Sequence, residues 1–390
     1  MSKVFSRSGE DCITKGGANT CLVHPVGTLG DTARACSEIV RCVTTWIDMA
    51  KRDAITIGDT QVEPGERRKL RLPVADLYTG TSLGMPVEVI HGRRAGPTLF
   101  VCAAIHGDEL NGVEVIRRLL QLRLLGSIRG TLIVVPVVNV HGFLDQSRYL
   151  PDRRDLNRCF PGSPRGSIAG RLAHTFLNEI VAKADYGIDL HTGAVNRSNL
   201  PQIRGNLDDA ETLRLAEAFG VPVIVNANIR DGSLRASAAE AEIPILIYEA
   251  GEALRFDEVS IRAGVGGIVN VLRAVGMLRE VRRGKRVKSV LARSTSWVRA
   301  PASGIVGHKV KLGNSVMEGQ VMATISDPLG DGEQVLQAPF DGIVIGRSNL
   351  PLAHEGDALF NLAGFRSVSR AGGLVERFVS DHEDDYQVAP

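Results

Sequence analysis

The chain has 390 residues, of which 46 are basic and 44 are acidic, so its formal net charge is only +2. This balance argues against binding to nucleic acid or to a membrane surface, and no uncharged apolar run approaches the roughly 18 residues that cross a bilayer. The N-terminus has no apolar core of the secretory type, and the six cysteines form no C-x-x-C pair. We therefore expect a cytoplasmic protein with free thiols, long enough for two domains.

Residues 1–48 are predicted to be an N-terminal extension that is poorly ordered or forms one helix. Apolar residues at helical spacing over Asp31–Asp48 predict that helix, and Asp31 is a suitable cap. The stretch MAKRDAITIG, which starts at Met49, resembles the natural start of a protein. Whether residues 1–48 are present in the native protein stays open.

Strand and helix patterns alternate from about Ala54 to Leu278, which predicts an α/β domain with a mixed sheet and helices on both faces. The predicted strands are Val87–Ile90, Thr98–Ile105, Thr131–Val138, Tyr186–Leu190, Val221–Val225 and Ile243–Tyr248. The predicted helices are Leu110–Leu125, Ser167–Ala184, Asp208–Phe219 and Ile261–Leu278. We place this catalytic domain at residues 49–288. Its charged, irregular segment Leu144–Arg165 is a candidate functional loop.

A metal site is indicated by two histidines and a glutamate that lie where predicted strands end. The stretch AAIHGDELNG (Ala103–Gly112) places His106 and Glu109 three residues apart, on the turn between a strand and a helix. That spacing alone is a weak pattern. A second histidine, His191, ends the apolar run of YGIDLHTG. Because ligands gather outside the carboxyl ends of strands in open α/β sheets, the three side chains predict a cation site with a fourth position for water.

Two further motifs complete a set, DLNR at Asp155–Arg158 and YEAG at Tyr248–Gly251. The order HGDE, DLNR, DLHTG, YEAG over Leu70–Leu278 resembles the succinylglutamate desuccinylase/aspartoacylase family, a branch of the zinc-carboxypeptidase superfamily. The resemblance implies a mixed-sheet, zinc-carboxypeptidase-like catalytic domain with one Zn²⁺ per chain. The zinc ligands that it implies are His106, Glu109 and His191.

The same resemblance implies roles for the remaining motif residues. Glu249 would be the general base, and Asn157 and Arg158 would clamp a substrate carboxylate. A carboxylate in reach of the attacking water suits the first role, and the fork geometry of a guanidinium suits the second. Glu252 is a rival for the base, although Glu249 follows the apolar strand directly.

Two roles near the DLNR motif complete the expected site. The resemblance implies that Asp155 orients His106, a contact that metal-bound histidines usually need. An arginine upstream of DLNR would polarise the scissile carbonyl and stabilise the oxyanion. Since the spacing differs from that of the family, Arg148, Arg153 and Arg154 all stay open, and we favour Arg148.

After the catalytic domain, the basic stretch Arg279–Arg293 is predicted to be a solvated linker, because no aromatic residues are interleaved in it. Residues 289–365 contain a near-repeat, APASGIVG and APFDGIVIG, and resemble the biotinyl/lipoyl carrier fold, which implies a small all-β barrel. Its hairpin Ser326–Gln334 has no lysine, so we expect no covalent cofactor there and a barrel that restricts access to the zinc. Residues 366–390 are predicted to be a flexible tail.

These features predict a zinc-dependent hydrolase that acts on a carbon–nitrogen bond other than a peptide bond, in a linear amide. The expected activity is deacylation of an N-acyl amino acid or a related small carboxylate by metal-hydroxide attack. The alternative is a metallocarboxypeptidase or deglutamylase that acts on a peptide or protein tail. A non-catalytic scaffold would require a broken motif, and all four are intact. The expected partner is a small molecule rather than nucleic acid or membrane, and a homo-oligomer stays open.

Overall fold

The computed structural model describes residues 52–280, 289–292 and 294–384. The extension and helix expected within residues 1–48 lie outside the described residues, as does most of the basic linker. The strands are β1 (Ile55–Ile57), β2 (Thr60–Val62), β3 (Arg67–Asp76), β4 (Ser82–His91), β5 (Arg94–Ala103), β6 (Arg129–Val135), β7 (Tyr186–Gly193), β8 (Arg197–Gly205), β9 (Val223–Asn226), β10 (Ile245–Glu252), β11 (Val290–Ala292), β12 (Ser294–Arg299), β13 (Gly304–His308), β14 (Ser315–Val316), β15 (Val321–Ser326), β16 (Gln334–Gln337), β17 (Gly342–Ser348), β18 (Leu352–Ala353) and β19 (Ala358–Gly364). The α-helices are α1 (Asn111–Leu119), α2 (Val140–Leu144), α3 (Ile168–Glu179), α4 (Ala210–Phe219), α5 (Leu234–Glu240), α6 (Glu258–Ala274) and α7 (Val368–Asp384).

A mixed sheet of 13 strands is the framework of the fold. Its main path has the order β12-β19-β17-β8-β10-β7-β5-β6-β4-β3, with β9, β11 and β14 paired beside that path. The neighbours β6, β5, β7 and β10 are parallel, whereas β8 is antiparallel to β10. The predicted α/β architecture with a mixed sheet is therefore confirmed.

Helices cover both faces of this sheet, and the central strands are buried on both sides. Along β5, Val101 packs into a core beneath α1, α4 and α6, while its neighbour Phe100 packs into a second core beneath α3. Successive side chains of a strand point to opposite faces, so a strand covered on both sides reads as a continuous apolar run. Among the described helices, none has both the length and the apolar character needed to cross a membrane.

Each strand and helix predicted between Ala54 and Leu278 overlaps an observed one, but some elements of the sheet were not predicted. Strand β3 begins with RRKLR and forms an edge of the sheet, where charged side chains are usual and hide the strand pattern. Strand β8 reads RSNLPQIRG, and its proline and polar residues likewise obscure the alternation. The latter omission matters because β8 carries side chains of the candidate site.

The separate barrel expected over residues 289–365 is not confirmed, because its strands are divided between two sheets. Strand β17 pairs antiparallel with β8, so that β17, β19 and β12 extend the main sheet. Strands β16, β15, β13 and β18 form a sheet of four. Side chains of both sheets share one apolar core, as Val298, Val306 and Phe360 illustrate. Pairing with β8 gives hydrogen-bond partners to what would otherwise be an exposed strand edge.

The flexible tail expected over residues 366–390 is wrong for residues 368–384, which form helix α7. Ala371, Val375 and Phe378 recur at intervals of three and four and are buried, which is the pattern of one apolar helix face. Val375 packs with strands β8, β9 and β17, while Phe378 reaches the core beneath α6. The high content of charged, glycine and serine residues concealed this face in the sequence.

Candidate active site

The motifs meet at the carboxyl ends of the parallel strands β5, β7 and β10. His106 lies on the turn after β5, and His191 lies on β7 directly opposite Glu249 of β10. The turn after β5 approaches α2 so closely that a Cβ atom on Gly107 would lie 1.9 Å from the carbonyl carbon of Gly142. The glycine of the HGDE motif therefore permits the contact that fixes His106 beside Glu109.

The three predicted zinc ligands form a buried cluster, and their donor atoms all lie within 4.8 Å of one another. The Nδ1 atom of His106 is 2.7 Å from Oε1 of Glu109, and the Nδ1 atom of His191 is 2.8 Å from Oε2. The backbone N–H of Thr192 also donates to Oε2, at 3.0 Å. The two imidazoles therefore turn their Nδ1 atoms toward a single carboxylate.

The opposite nitrogen of each imidazole faces another carboxylate. The Nε2 atom of His106 is 3.2 Å from Asp155 Oδ1, and the Nε2 atom of His191 is 2.8 Å from Asp189 Oδ2. A carboxylate that accepts the Nε2–H fixes the ring and leaves Nδ1 as the ligand atom. Asp189 was not predicted, yet it lies two residues before His191 on a strand and hence on the same face. That spacing is a pattern that could have revealed it.

The carboxylates of the cluster stabilise positive charge on its imidazoles. Burial alone would raise the pKa of Glu109, but His106 and His191 hold it well below its usual range. Burial likewise would lower the pKa of His191, yet the carboxylates of Asp189 and Glu109 raise it well above the usual value. Two imidazole nitrogens and an ionised carboxylate are a donor set that suits zinc. The residues present therefore fit the metal that the motifs imply.

Of the three arginines considered for oxyanion stabilisation, Arg148 is the one that reaches the cluster. Its Nη2 atom donates to Asp155 Oδ2 at 3.0 Å, and its Nη1 atom is 3.5 Å from Glu109 Oε1. Arg153 and Arg154 are exposed outside the cavity. The structure thus brings Arg148 to the predicted place.

The DLNR motif forms a short turn at the wall of the same cavity. Asp155 caps the turn by accepting a hydrogen bond from the backbone N–H of Asn157, at 2.9 Å. The side-chain oxygen of Asn157 accepts from the backbone N–H of Leu234, at 3.0 Å, and so ties the turn to α5. Arg158 is exposed and lines the cavity. Both residues of the predicted clamp therefore line the cavity beside the cluster of His106, Glu109 and His191.

The two candidates for the base occupy different environments. Glu249 lines the cavity, and its Oε2 atom lies 3.0 Å from Asn199 Nδ2 and 3.3 Å from Arg204 Nε. Glu252 is buried away from the cavity. The hydrogen-bond donors to Glu252 are the backbone N–H of Asn196, the hydroxyl of Ser198 and the amide of Asn349. Glu252 is thus part of the packing between strands, whereas Glu249 is available to a substrate.

One cavity of about 450 Å³ is lined by the two histidines, by Glu249 and by Arg148, Asn157 and Arg158. Its arginines are Arg148, Arg158, Arg204, Arg230 and Arg235. Arg235 is only 8% exposed, and its Nε and Nη1 atoms have no hydrogen-bond partner among the described residues. The last three arginines, which lie on β8, before α5 and on α5, were not predicted. They come from segments that show no recognisable motif spacing.

Comparison with known proteins places this geometry in a family. Residues 95–275 match the model of the succinylglutamate desuccinylase/aspartoacylase catalytic domain. The N-alpha-acetyl-L-2,4-diaminobutyric acid deacetylase of Halomonas elongata is 28% identical over 308 residues, which cover 75% of this chain and 90% of the relative.

Solved structures show the same likeness. A succinylglutamate desuccinylase/aspartoacylase from Rhodobacter sphaeroides is 27% identical, with a TM-score of 0.68 over 80% of this chain and 97% of that one. The product-bound ectoine utilization protein EutE (DoeB) from Ruegeria pomeroyi is 25% identical, with a TM-score of 0.69 over 80% of this chain and 96% of that one. Residues 95–275 are thus similar to the catalytic domain of the succinylglutamate desuccinylase/aspartoacylase family, and most of the described chain shares the fold of these relatives.

Proposed function

We propose that the protein is a zinc-dependent deacylase that hydrolyses the amide bond of a small N-acyl amino acid. The observation that carries this proposal is the cluster of His106, Glu109 and His191, whose two histidines line the same cavity as Glu249. The likeness to a deacetylase of an N-acetylated amino acid supports the same class of reaction.

His106, Glu109 and His191 would hold the zinc through two Nδ1 atoms and a carboxylate, with Asp155 and Asp189 fixing the imidazoles from behind. When bound there, zinc would act as a Lewis acid toward the scissile carbonyl and make water acidic enough to attack at neutral pH. These two carboxylates keep both rings in the orientation that this requires.

Glu249 would carry the proton through the reaction. It takes the proton from the attacking water and hands it to the amide nitrogen as the carbon–nitrogen bond breaks. Its place opposite His191 in the register of β10 and β7 brings it beside the candidate zinc ligands. Arg148, whose Nη1 atom lies beside the cluster, would stabilise the charge that develops on the carbonyl oxygen.

The cavity favours a small, carboxylate-bearing substrate. Its arginines outnumber the carboxylates that line it. Arg158 can donate two parallel hydrogen bonds to a substrate carboxylate, and the amide group of Asn157 can donate a further one. The volume of about 450 Å³ lies at the lower end of the range for small-molecule sites. Thr295, from β12, also lines the cavity, so the C-terminal strands contribute to the wall.

Purified zinc-loaded protein should be incubated with a panel of N-acetyl and N-succinyl amino acids and of short peptides with acidic C-termini. Mass spectrometry of the free acid and amine should show release from at least one N-acyl amino acid. A Glu249→Gln preparation, purified in the same way, controls for contaminating hydrolases. Trimming of the peptides without any deacylation would overturn the proposal in favour of a carboxypeptidase or deglutamylase.

A further inference from the structure

The carboxylate of Glu249 is held on one side only. Its Oε2 atom accepts a hydrogen bond from Asn199 Nδ2 of β8 at 3.0 Å and lies 3.3 Å from Arg204 Nε, an ion pair without hydrogen-bond geometry. Among the described residues, none donates a hydrogen bond to its Oε1 atom. One oxygen is therefore anchored to the neighbouring strand while the other is left to the cavity, where a proton must be moved.

Asn199 is fitted closely between the strand of the base and a C-terminal strand. It is 8% exposed and lies on β8, opposite Gly251 of β10 and opposite Gly346 of β17. A Cβ atom on Gly346 would lie 3.0 Å from Asn199 Oδ1, which is tighter than an ordinary contact. The absence of a side chain at residue 346 thus leaves the space in which the amide of Asn199 sits.

We propose that Asn199 is a positioning residue for Glu249 and that strand β17 braces it. The inference rests on the proposed function, in which Glu249 moves the proton. The terminal torsion of a glutamate is broad, so an unanchored carboxylate samples many orientations. The hydrogen bond from Asn199 to Oε2 restricts that rotation and keeps Oε1 directed at the reacting water, and such preorganisation is a large part of catalysis.

The bracing assigns a catalytic consequence to the C-terminal strands. Gly346 and Asn199 pair in register on β17 and β8, although they lie far apart in the sequence. The two strands are hydrogen-bonded over Gly346–Ser348, which holds the backbone behind the amide. The C-terminal segment therefore acts on the base through its backbone and does not need to reach the substrate.

The first test is the steady-state kinetics of Asn199→Ala with an N-acyl amino acid that the wild-type protein hydrolyses. The kcat should fall about tenfold or more, the loss expected when one hydrogen bond to a charged group is removed, while KM and the zinc content stay unchanged. Ser198→Ala is the matched control, because it removes a hydrogen bond from the same strand to Glu252 rather than to Glu249, and its kcat should equal that of the wild type. Gly346→Ala should lower kcat to a smaller extent.

The second test is a double-mutant cycle with Glu249→Gln. If Asn199 acts through Glu249, then Asn199→Ala should reduce kcat in the wild type but not in the Glu249→Gln background. Should Asn199→Ala be poorly folded, Asn199→Asp keeps the shape of the side chain and replaces the donor by an acceptor. It should lose at least as much kcat while the zinc content stays unchanged, and the repulsion between the two adjacent carboxylates should lower its thermal midpoint.

Two results separate the failure of this inference from the failure of the proposed function. An inactive Glu249→Gln together with an Asn199→Ala variant of full kcat, or equal losses in both backgrounds, would overturn the positioning role alone. A Glu249→Gln variant with wild-type kcat would remove the base assignment and the positioning role with it.

Discussion

Glu249 and Glu252 lie three residues apart on one strand, yet only one of them is available for chemistry. The register of β10 shifts between the two, and Gly251 has a positive φ of 74° at that point, a conformation that suits glycine. Because of this irregularity, the side chain of Glu252 packs beside Ser198, whereas that of Glu249 lines the cavity. At the scale of single residues, the local backbone decides which carboxylate can serve as the base.

The first prediction concerns these two glutamates. Glu249→Gln should retain one zinc per chain but lose kcat by about 10²–10⁴-fold, the usual contribution of a positioned acid–base group. Glu252→Gln should keep kcat within a few-fold of the wild type. Metal analysis and steady-state kinetics of both variants check this. A dead Glu252→Gln beside an active Glu249→Gln would show that the base has been assigned to the wrong residue.

The second prediction concerns the exposed Arg158. Arg158→Ala should reduce kcat/KM for substrates with a free carboxylate. The expected loss of transition-state stabilisation is roughly 2–5 kcal/mol, the cost of removing one partner from a close charge pair. The matching carboxamide substrate should be affected much less. The measurement is the ratio of kcat/KM values for each substrate pair. Equal losses on both substrates would contradict the clamp.

The sequence predicted those site residues whose spacing is local. His106 with Glu109, and the ends of the apolar runs at His191 and Glu249, lie where a strand pattern stops. Asp189 lies two residues before His191 on one strand, so strand geometry places both side chains on the same face. Arg235 reaches the cavity from α5, a helix between two motifs. Nothing in its neighbours along the chain indicates that contact, since the fold alone produces it.

At the scale of elements, the same limit applies to strands and helices. Central strands such as β5 were predicted because both faces are apolar, whereas β8 and the edge strand β3 contain too many polar residues for an alternation to appear. Helix α7 has a narrow apolar face among charged and small residues. Its burial depends on partners that lie elsewhere in the sequence, on β8, β9 and β17.

Helix α7 is predicted to stabilise the whole chain. Phe378 is 2% exposed and packs into the core beneath α6, so Phe378→Ala should cost about 3–5 kcal/mol of unfolding free energy. Arg377→Ala is a suitable control, because the exposed Arg377 donates, among the described residues, to a carbonyl of its own helix. Urea unfolding of the two variants measures the difference. A Phe378→Ala variant as stable as the control would show that this helix does not contribute to the stability of the chain.

At the scale of the whole molecule, the C-terminal strands are continuous with the catalytic sheet. One apolar core contains Leu200 and Val223 from the catalytic part together with Ile343 and Ala363 from β17 and β19. The sequence predicted an all-β character for this segment from its near-repeat, but it could not predict a pairing with β8. Strand pairing between distant segments leaves no periodicity in either of them.

Removal of the residues after Glu280 should therefore destabilise the catalytic part. Truncation would expose the part of the β8 edge that pairs with β17 and the side chains of the shared core that remain. We expect an insoluble product or a thermal midpoint well below that of the full chain, whereas the expected gating of the cavity would alter only the preference between short and long substrates. A truncated protein with the stability and the activity of the full chain would contradict this account.

The central claim is that one zinc at His106, Glu109 and His191 supports deacylation. The most direct measurement is the amine released from an N-acyl amino acid by metal-stripped protein as zinc is added back in fractions of an equivalent. The rate should rise from near zero in proportion to zinc and level off at one equivalent per chain, and His106→Ala should show no such rise. Full activity of the stripped protein, or no deacylation at any zinc concentration, would contradict the claim.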